Sequence, residues 1–220
     1  MLAIDLVSTI IQPVKMADTL QSAFQKMQEL QVDHLPIVSE NELEGLLSAA
    51  DIAGSDDLTQ TLGSIRIPLL LSFVYDHQHF FDVLTMMADQ KLTLVPVIDH
   101  QKNYLGSVTQ TELVEYCNRI TSAGQPGGVI ILEMNERELS MSEIAKIAES
   151  NNARILSYFT ETSADSSQVL LTLKLNKTDI SAILATFERF NYVIKLSFQP
   201  DNFKDDTQGR YESFMNYLNM

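Results

Sequence analysis

Residues 18–38 read DTLQSAFQKMQELQVDHLPIV, and residues 77–99 read HQHFFDVLTMMADQKLTLVPVID. Slid by 60 residues, Leu20, Ala23, Phe24 and Met27 of the first stretch fall on Phe80, Val83, Leu84 and Met87 of the second. Each set has the i, i+3, i+4, i+7 spacing of a helix with one buried face. At the same offset Val32, Leu35, Pro36, Ile37 and Val38 fall on Leu92, Val95, Pro96, Val97 and Ile98. These short β-branched runs read as buried strands, and their prolines favour an edge or a bulge because proline donates no ladder hydrogen bond.

Outward from these stretches the correspondence continues. LEGLLSAADI (residues 43–52) is matched by YLGSVTQTEL (residues 104–113), now offset by 61, so that Gly45, Leu47, Ser48, Asp51 and Ile52 meet Gly106, Val108, Thr109, Glu112 and Leu113. The recurrence of helix stripe, strand, glycine and polar pair in one order predicts two copies of a strand-helix-strand-strand-helix unit. A unit of this size cannot bury both faces of its sheet alone, so the copies are expected to pack together.

The pattern over residues 1–120 resembles a tandem pair of CBS domains, the Bateman module. The resemblance implies a cleft between the copies that holds an adenine nucleotide, with the family's G-x-h-[ST]-x-x-[DN] pattern contacting phosphate and ribose. That pattern falls here on GLLSAAD, giving Ser48 and Asp51, and on GSVTQTE, giving Thr109 and Glu112. Glu112 departs from it by one methylene, which carries its carboxylate outward. The resemblance also places Gly45, Gly106, Pro36 and His34 at the cleft; in the second copy Leu94 replaces His34. Physical chemistry supports a site of this kind: a hydroxyl at a helix start stands beside free N–H groups suited to an anion, and an acidic side chain three residues on can accept from both ribose hydroxyls. The same spacing is equally that of a capping box, in which the carboxylate serves only its own helix start. Both readings stand at this point.

Charge narrows the ligand. The 220 residues carry 15 Lys+Arg against 29 Asp+Glu, a formal net charge of −14. Such a chain is poorly suited to a nucleic-acid backbone, where affinity comes from neutralising phosphates. Residues 1–122 hold six basic side chains (Lys15, Lys26, Arg66, Lys91, Lys102, Arg119) against 16 acidic ones. AMP or adenosine is therefore expected rather than a polyphosphate, which would need Mg²⁺ beside it. The lone Cys117 excludes an internal disulfide, is expected to be buried and inert, and has no Cys/His neighbours in a zinc spacing. Of the four histidines, His77 and His79 stand two apart without a carboxylate in a ligand spacing and read as surface residues; no metal is expected. There is no signal-peptide pattern, no apolar run long enough for a membrane span, and no nucleophile, metalloprotease or dinucleotide motif. The expectation is a non-catalytic cytoplasmic protein.

After SAGQPGG (residues 122–128), read as a linker, the pattern changes. GVIILEM is a strand; Leu139, Ile144, Ile147 and Ala148 mark a helix at about residues 140–150; ARILSYFTET and QVLLTLKLN are strands. Asp179 is expected to cap a helix striped by Ile180, Ile183, Leu184 and Phe187, and YVIKLSF closes a β-α-β-β-α-β order, the ferredoxin-like arrangement. This order beside a CBS pair resembles an ACT domain, as in the CBS–ACT regulators of the acetoin-utilisation type. The resemblance covers topology and arrangement. MNERELSMSE lacks the glycine and proline that ACT domains use to approach an amino-acid carboxylate, although Asn135 stands at the polar position. Dimer formation is the role expected of this domain.

The expected architecture is thus mixed α+β and α/β: repeats at 1–60 and 61–121, a linker at 122–128, an ACT-like domain at 129–199 and a tail at 200–220, where Tyr211, Phe214, Met215 and Leu218 suggest a short docked helix. The expected function is regulatory ligand sensing by a homodimer acting on an unknown protein target, with no nucleic acid and no membrane. The alternatives are an interaction module with empty clefts, or amino-acid sensing at the ACT-like interface.

Overall fold

The computed structural model describes residues 1–64, 69–162 and 167–200; the striped tail segment lies outside the described residues. Two compact units divide between Tyr116 and Cys117.

In the first unit the elements are α1 (Leu20–Leu30), β1 (His34–Ser39), β2 (Glu42–Ser48), α2 (Ala49–Ala53), β3 (Val74–Tyr75), α3 (Phe80–Gln90), β4 (Leu94–Ile98), β5 (Tyr104–Thr109) and the start of α4 (Gln110–Ile120), within which the division falls. The 60-residue offset is visible in the backbone. Thr19 and His79 are the N-caps of α1 and α3, and Gln31 and Lys91 end them in the left-handed conformation, both at φ 55°. The β1–β2 and β4–β5 hairpins are antiparallel, with register shifts at Ile37/Val38 and Val97/Ile98. These bulges follow Pro36 and Pro96 directly, as expected of strands that carry proline. Pro96 nevertheless lies in the central strand of the β3-β4-β5 sheet rather than at an edge.

The leading strand of each repeat is vestigial. In the first copy it is Val14 alone, whose N–H donates to the Pro36 carbonyl while its own carbonyl accepts from Val38 N–H. In the second it is Val74–Tyr75, parallel to Val97–Ile98. Pro36 thus meets its neighbour through its carbonyl, and its missing donor costs that bridge nothing.

The segments ahead of the two repeats are exchanged. The N-terminal segment packs on the second copy, bridging Leu2 to His79 and Ser8 to Ser107. The segment between the copies packs on the first, bridging Thr61 to Thr19 and Leu70 to Leu46. Gly45 and Gly106 sit where these segments cross. A Cβ on Gly45 would meet Leu69 Cβ at 2.7 Å, and one on Gly106 would meet Val7 Cγ1 at 2.2 Å, while φ of +153° and +147° disfavours any other residue. The exchange fuses both copies into one core in which Leu20, Ala23 and Met27 join Phe80, Val83 and Met87. Each fully buried Leu, Met or Phe there contributes about 1.5–3 kcal/mol. Phe24 and Leu84, expected in the same stripes, are 36% and 39% exposed. They occupy the flank of the stripe in both copies, so even this departure repeats.

The second unit has β6 (Val129–Asn135), α5 (Met141–Ser150), β7 (Ile155–Thr162), β8 (Gln168–Leu175), α6 (Ser181–Arg189) and β9 (Val193–Phe198), with an antiparallel sheet ordered β7-β8-β6-β9. This is the ferredoxin-like topology. Ile130, Leu132, Val169, Leu171, Leu173 and Leu175 from the sheet form one core with Ile144, Ile147, Ile183 and Phe187 from the helices. Gly127 and Gly128, read from sequence as part of a linker, are built into this sheet: Gly128 N–H donates to Lys177 O, and a Cβ on Gly127 would meet the Leu175 carbonyl oxygen at 1.8 Å. Two further expectations shift. Ile180 takes the N-cap position of α6, with Asp179 Oδ1 accepting from Ser181 N–H at 3.0 Å. Cys117 is half-buried, because α4 buries only Leu113.

Candidate functional site

The strands β1 and β2 form a tight hairpin whose register sets His34, at the start of β1, opposite Ser48, at the end of β2. Three residues past Ser48, Asp51 lies in the first turn of α2, so the hairpin and the helix start bring His34, Ser48 and Asp51 to one place. Ser48 Oγ accepts from Asp51 N–H at 3.1 Å, and Asp51 Oδ2 accepts from both Ser48 N–H (3.0 Å) and Ser48 Oγ (2.6 Å). The capping box read from the sequence is therefore formed. All three side chains are half-buried, open on one side to solvent.

His34 also ties the two copies together. Its Nδ1 accepts from Thr93 N–H at 3.3 Å and lies 3.0 Å from Thr93 Oγ1, which itself accepts from Asp33 N–H. With Nδ1 occupied as an acceptor, the neutral ring carries its proton on Nε2. Burial pushes the His34 pKa below the ordinary imidazole range, against an opposing pull from Asp33 and Asp51. The ring is accordingly held neutral near pH 7.

The second copy has the same plan and a different lining. Thr109 stands opposite Leu94 in the β4–β5 register, and Thr109 is 8% exposed where Ser48 is half-buried. Glu112 Oε2 accepts from Thr109 N–H at 3.2 Å and from the Thr109 hydroxyl. Burial raises the Glu112 pKa, but hydrogen bonds from Ser8, Thr109 and the backbone outweigh it and hold the carboxyl below its usual range. Ser8 arrives from the exchanged N-terminal segment, its N–H bonded to Ser107 O at 2.9 Å. The longer acid thus reaches a partner outside its own helix.

Of the sequence-derived set, His34, Ser48 and Asp51 share one place, and Thr109 and Glu112 share the corresponding one. Pro36, Gly45 and Gly106 are buried in the strands and serve the bridge and the segment crossings.

The second unit contains a cavity of about 510 Å³ at the turn between β6 and α5, lined by Asn135, Glu138, Glu143, Gln168 and Tyr192 among others. Asn135 Oδ1 is spent on Arg137 N–H, and Tyr192 donates to Glu143 Oε2 at 3.0 Å. Proximity to Glu143 and burial raise the Tyr192 pKa to about 12, burial being the larger cause, so the phenol stays protonated. Sequence reading singled out Asn135 here, but not the acidic rim of Glu133, Glu138 and Glu143 that β6, the turn after it and α5 bring to it.

The family model for the CBS domain matches the chain at residues 3–56 and again at 70–119. Among solved structures, the chain is similar to a CBS domain pair/ACT domain protein from Thermotoga maritima (17% identity, 54% of this chain and 98% of that one, TM-score 0.49). It is also similar to Hypoxic Response Protein I with two coordinated zinc ions (28%, 53% and 98%, TM-score 0.45). A third similar structure is CBSX2 in complex with AMP (20%, 54% and 97%, TM-score 0.47).

Proposed function

The N-terminal unit is a tandem pair of CBS domains, and we propose that it is a non-catalytic sensor that takes an adenosyl ligand, AMP or adenosine, at His34, Ser48 and Asp51. The observation that carries this reading is the convergence of three half-buried polar side chains with complementary remaining valences. Asp51 Oδ1 accepts no hydrogen bond from the described residues, Ser48 and Asp51 present a hydroxyl and a carboxylate together, and His34 offers a neutral N–H donor. A carboxylate acceptor beside an uncharged donor suits a ribose diol and a purine edge. The helix α2 has only five residues, so its dipole adds little for phosphate, and the scarcity of cations argues against a polyphosphate without Mg²⁺. The Thr109–Glu112 place, more enclosed and satisfied by Ser8, is the weaker binder.

The second unit, ACT-like in this reading, is assigned to homodimer formation and relay to a protein target. Its sheet carries helices on one face. Across the other, Phe159, Thr172, Ile131 and Leu196 stand in register, and Phe159 and Leu196 are 45% and 51% exposed. Thr172 between them is buried at 7% exposure, and the exposed apolar side chains on the two edge strands are what a second copy would cover. A second reading, amino-acid sensing, draws support from the cavity at Asn135, whose Glu138 and Glu143 suit an ammonium group.

Thermal-shift measurements with adenosine, AMP, ADP, ATP and S-adenosylmethionine, each with and without Mg²⁺, test the sensor reading. A ligand at 100 times Kd stabilises the fold by about 2.7 kcal/mol. No shift with any of them at millimolar concentration would leave the clefts empty and favour the interaction module; a shift with basic amino acids alone would favour the cavity.

A further inference from the structure

We propose that Asp76, His77 and His100 form a binding site for a first-row divalent transition-metal ion of the zinc class. Asp76 and His77 follow β3, and His100 lies in the turn between β4 and β5. The parallel pairing of β3 with β4 sets these two turns side by side, and Asp76 N–H donates to Ile98 O at 3.0 Å to lock them. One ligand atom from each of the three residues can be chosen so that all lie within 4.8 Å of one another.

The spacing and chemistry fit one ion. Asp76 Oδ1 and His77 Nδ1 are joined by a hydrogen bond of 2.9 Å, a spacing that an ion taking the place of the shared proton would keep, since neighbouring ligands around an ion with bonds of about 2.05 Å are separated by roughly 2.9–3.3 Å. The His77 and His100 rings are stacked at 4.9 Å between centroids and 27° between planes, and Tyr75 stacks on both at 5.8 and 6.1 Å. Both histidines are exposed and Asp76 is half-buried, so the rotamer changes that bring ligand atoms lying within 4.8 Å of one another to the spacing of neighbouring ligands meet little packing.

The turns are otherwise fixed. Gln78 Oε1 accepts from Tyr75 N–H at 2.7 Å, and Asp99 Oδ1 accepts from the Gln101 and Asn103 N–H groups, each at 2.8 Å. The site is thus borne on ordered backbone, with Asp99 and an acidic chain adding attraction for a cation. Two imidazole nitrogens with one carboxylate select zinc, cobalt, nickel or copper over magnesium or calcium, which take oxygen ligands. Three protein ligands leave the remaining coordination positions to water or to a ligand from outside. Sequence reading grouped His77 with His79 and missed the site, because His79 is spent on capping α3 and the true neighbour, His100, lies 23 residues away.

The test is calorimetric titration of the tag-free full chain with ZnCl₂ near neutral pH, followed by Co²⁺ titration read by its visible absorption. One ion per chain is expected, with the affinity lost by about tenfold or more in H77A, H100A and D76N, and unchanged in H79A. Mg²⁺ is expected to give no competing heat. Circular dichroism of each variant confirms that the exposed substitutions leave the fold intact. Absence of saturable Zn²⁺ binding, wild-type affinity in H77A or H100A, or loss in H79A equal to theirs would overturn the site.

Discussion

Asp51→Ala separates the two roles that its carboxylate can play. In the structure the carboxylate accepts two hydrogen bonds, from Ser48 N–H at 3.0 Å and Ser48 Oγ at 2.6 Å, while the reciprocal bond from Asp51 N–H to Ser48 Oγ needs only the backbone. The substitution therefore removes part of the capping box and keeps the cap itself. For a half-buried site the loss is about 1 kcal/mol, or about 4 °C in the unfolding midpoint of a unit this size. If the carboxylate also accepts from a ribose diol, one or more charge-assisted bonds vanish from the complex. That costs about 1.5–3 kcal/mol, which is about 10- to 150-fold in Kd. Calorimetric titration of AMP or adenosine into the full-length wild type and variant, well below the lowered midpoint, reads binding apart from folding. A variant that melts about 4 °C lower but binds with unchanged Kd would confine Asp51 to capping and refute its role as a ligand contact.

Three other outcomes follow from the same geometry. Glu112 has its folded pKa held below the unfolded value, so it stabilises the fold above that value and loses its contribution as pH falls from about 4.5 through the lower folded pKa. Glu112→Gln is expected to flatten this acid limb of the midpoint-versus-pH curve while affecting nucleotide affinity less than Asp51→Ala does; an unchanged limb would remove the Ser8 and Thr109 bonds from the account. His34 is also shifted down, so the unfolded chain binds the extra proton first. Stability falls as pH drops from 6.5 toward the lower folded value, and His34→Asn is expected to erase that slope between about pH 7 and 5 in thermal scans. Leu196→Asp places a charge among the exposed apolar side chains of the open sheet face; light scattering should report monomer in place of dimer, and an unmoved dimer would shift the contact elsewhere.

What was legible in the sequence is what local periodicity and repetition encode. The stripes of α1 and α3, the two polar pairs and the strand order of the second unit depend on residues within a few positions of each other, and they appear where the spacing puts them except at Phe24 and Leu84, which lie on the exposed flank. The exchanged leading segments were not legible, because Ser8 pairs with Ser107 and Leu2 with His79 across long stretches of chain that leave no periodic trace. Val14 was invisible for a different reason: a strand reduced to one bridging residue has no alternation to detect. At the site, the spacing of Ser48 and Asp51 was legible, but the neutrality of His34 was not. It arises from burial and from Thr93 of the other copy, 59 residues away. Gly45 and Gly106 were noticed for their recurrence, yet their physical reason is a close crossing by Leu69 and Val7.

The two copies share caps, left-handed helix ends, bulges and glycines, so their backbones pose one problem twice; the side chains answer it differently. His34 in the first copy becomes Leu94 in the second, fully buried, and the half-buried Ser48 becomes the enclosed Thr109. The residue aligned with Thr93 is Asp33, which offers its backbone N–H to Thr93 while its carboxylate raises the pKa of His34. A single cross-copy contact thus uses one residue from each half in unlike roles, a hydroxyl from one and an imidazole from the other. Repetition under a shared core gives the pair its stability, since neither copy closes without the other's leading segment. Departure from repetition concentrates polar valence at His34, Ser48 and Asp51, the place proposed for the ligand, while the corresponding place in the second copy is closed by Ser8.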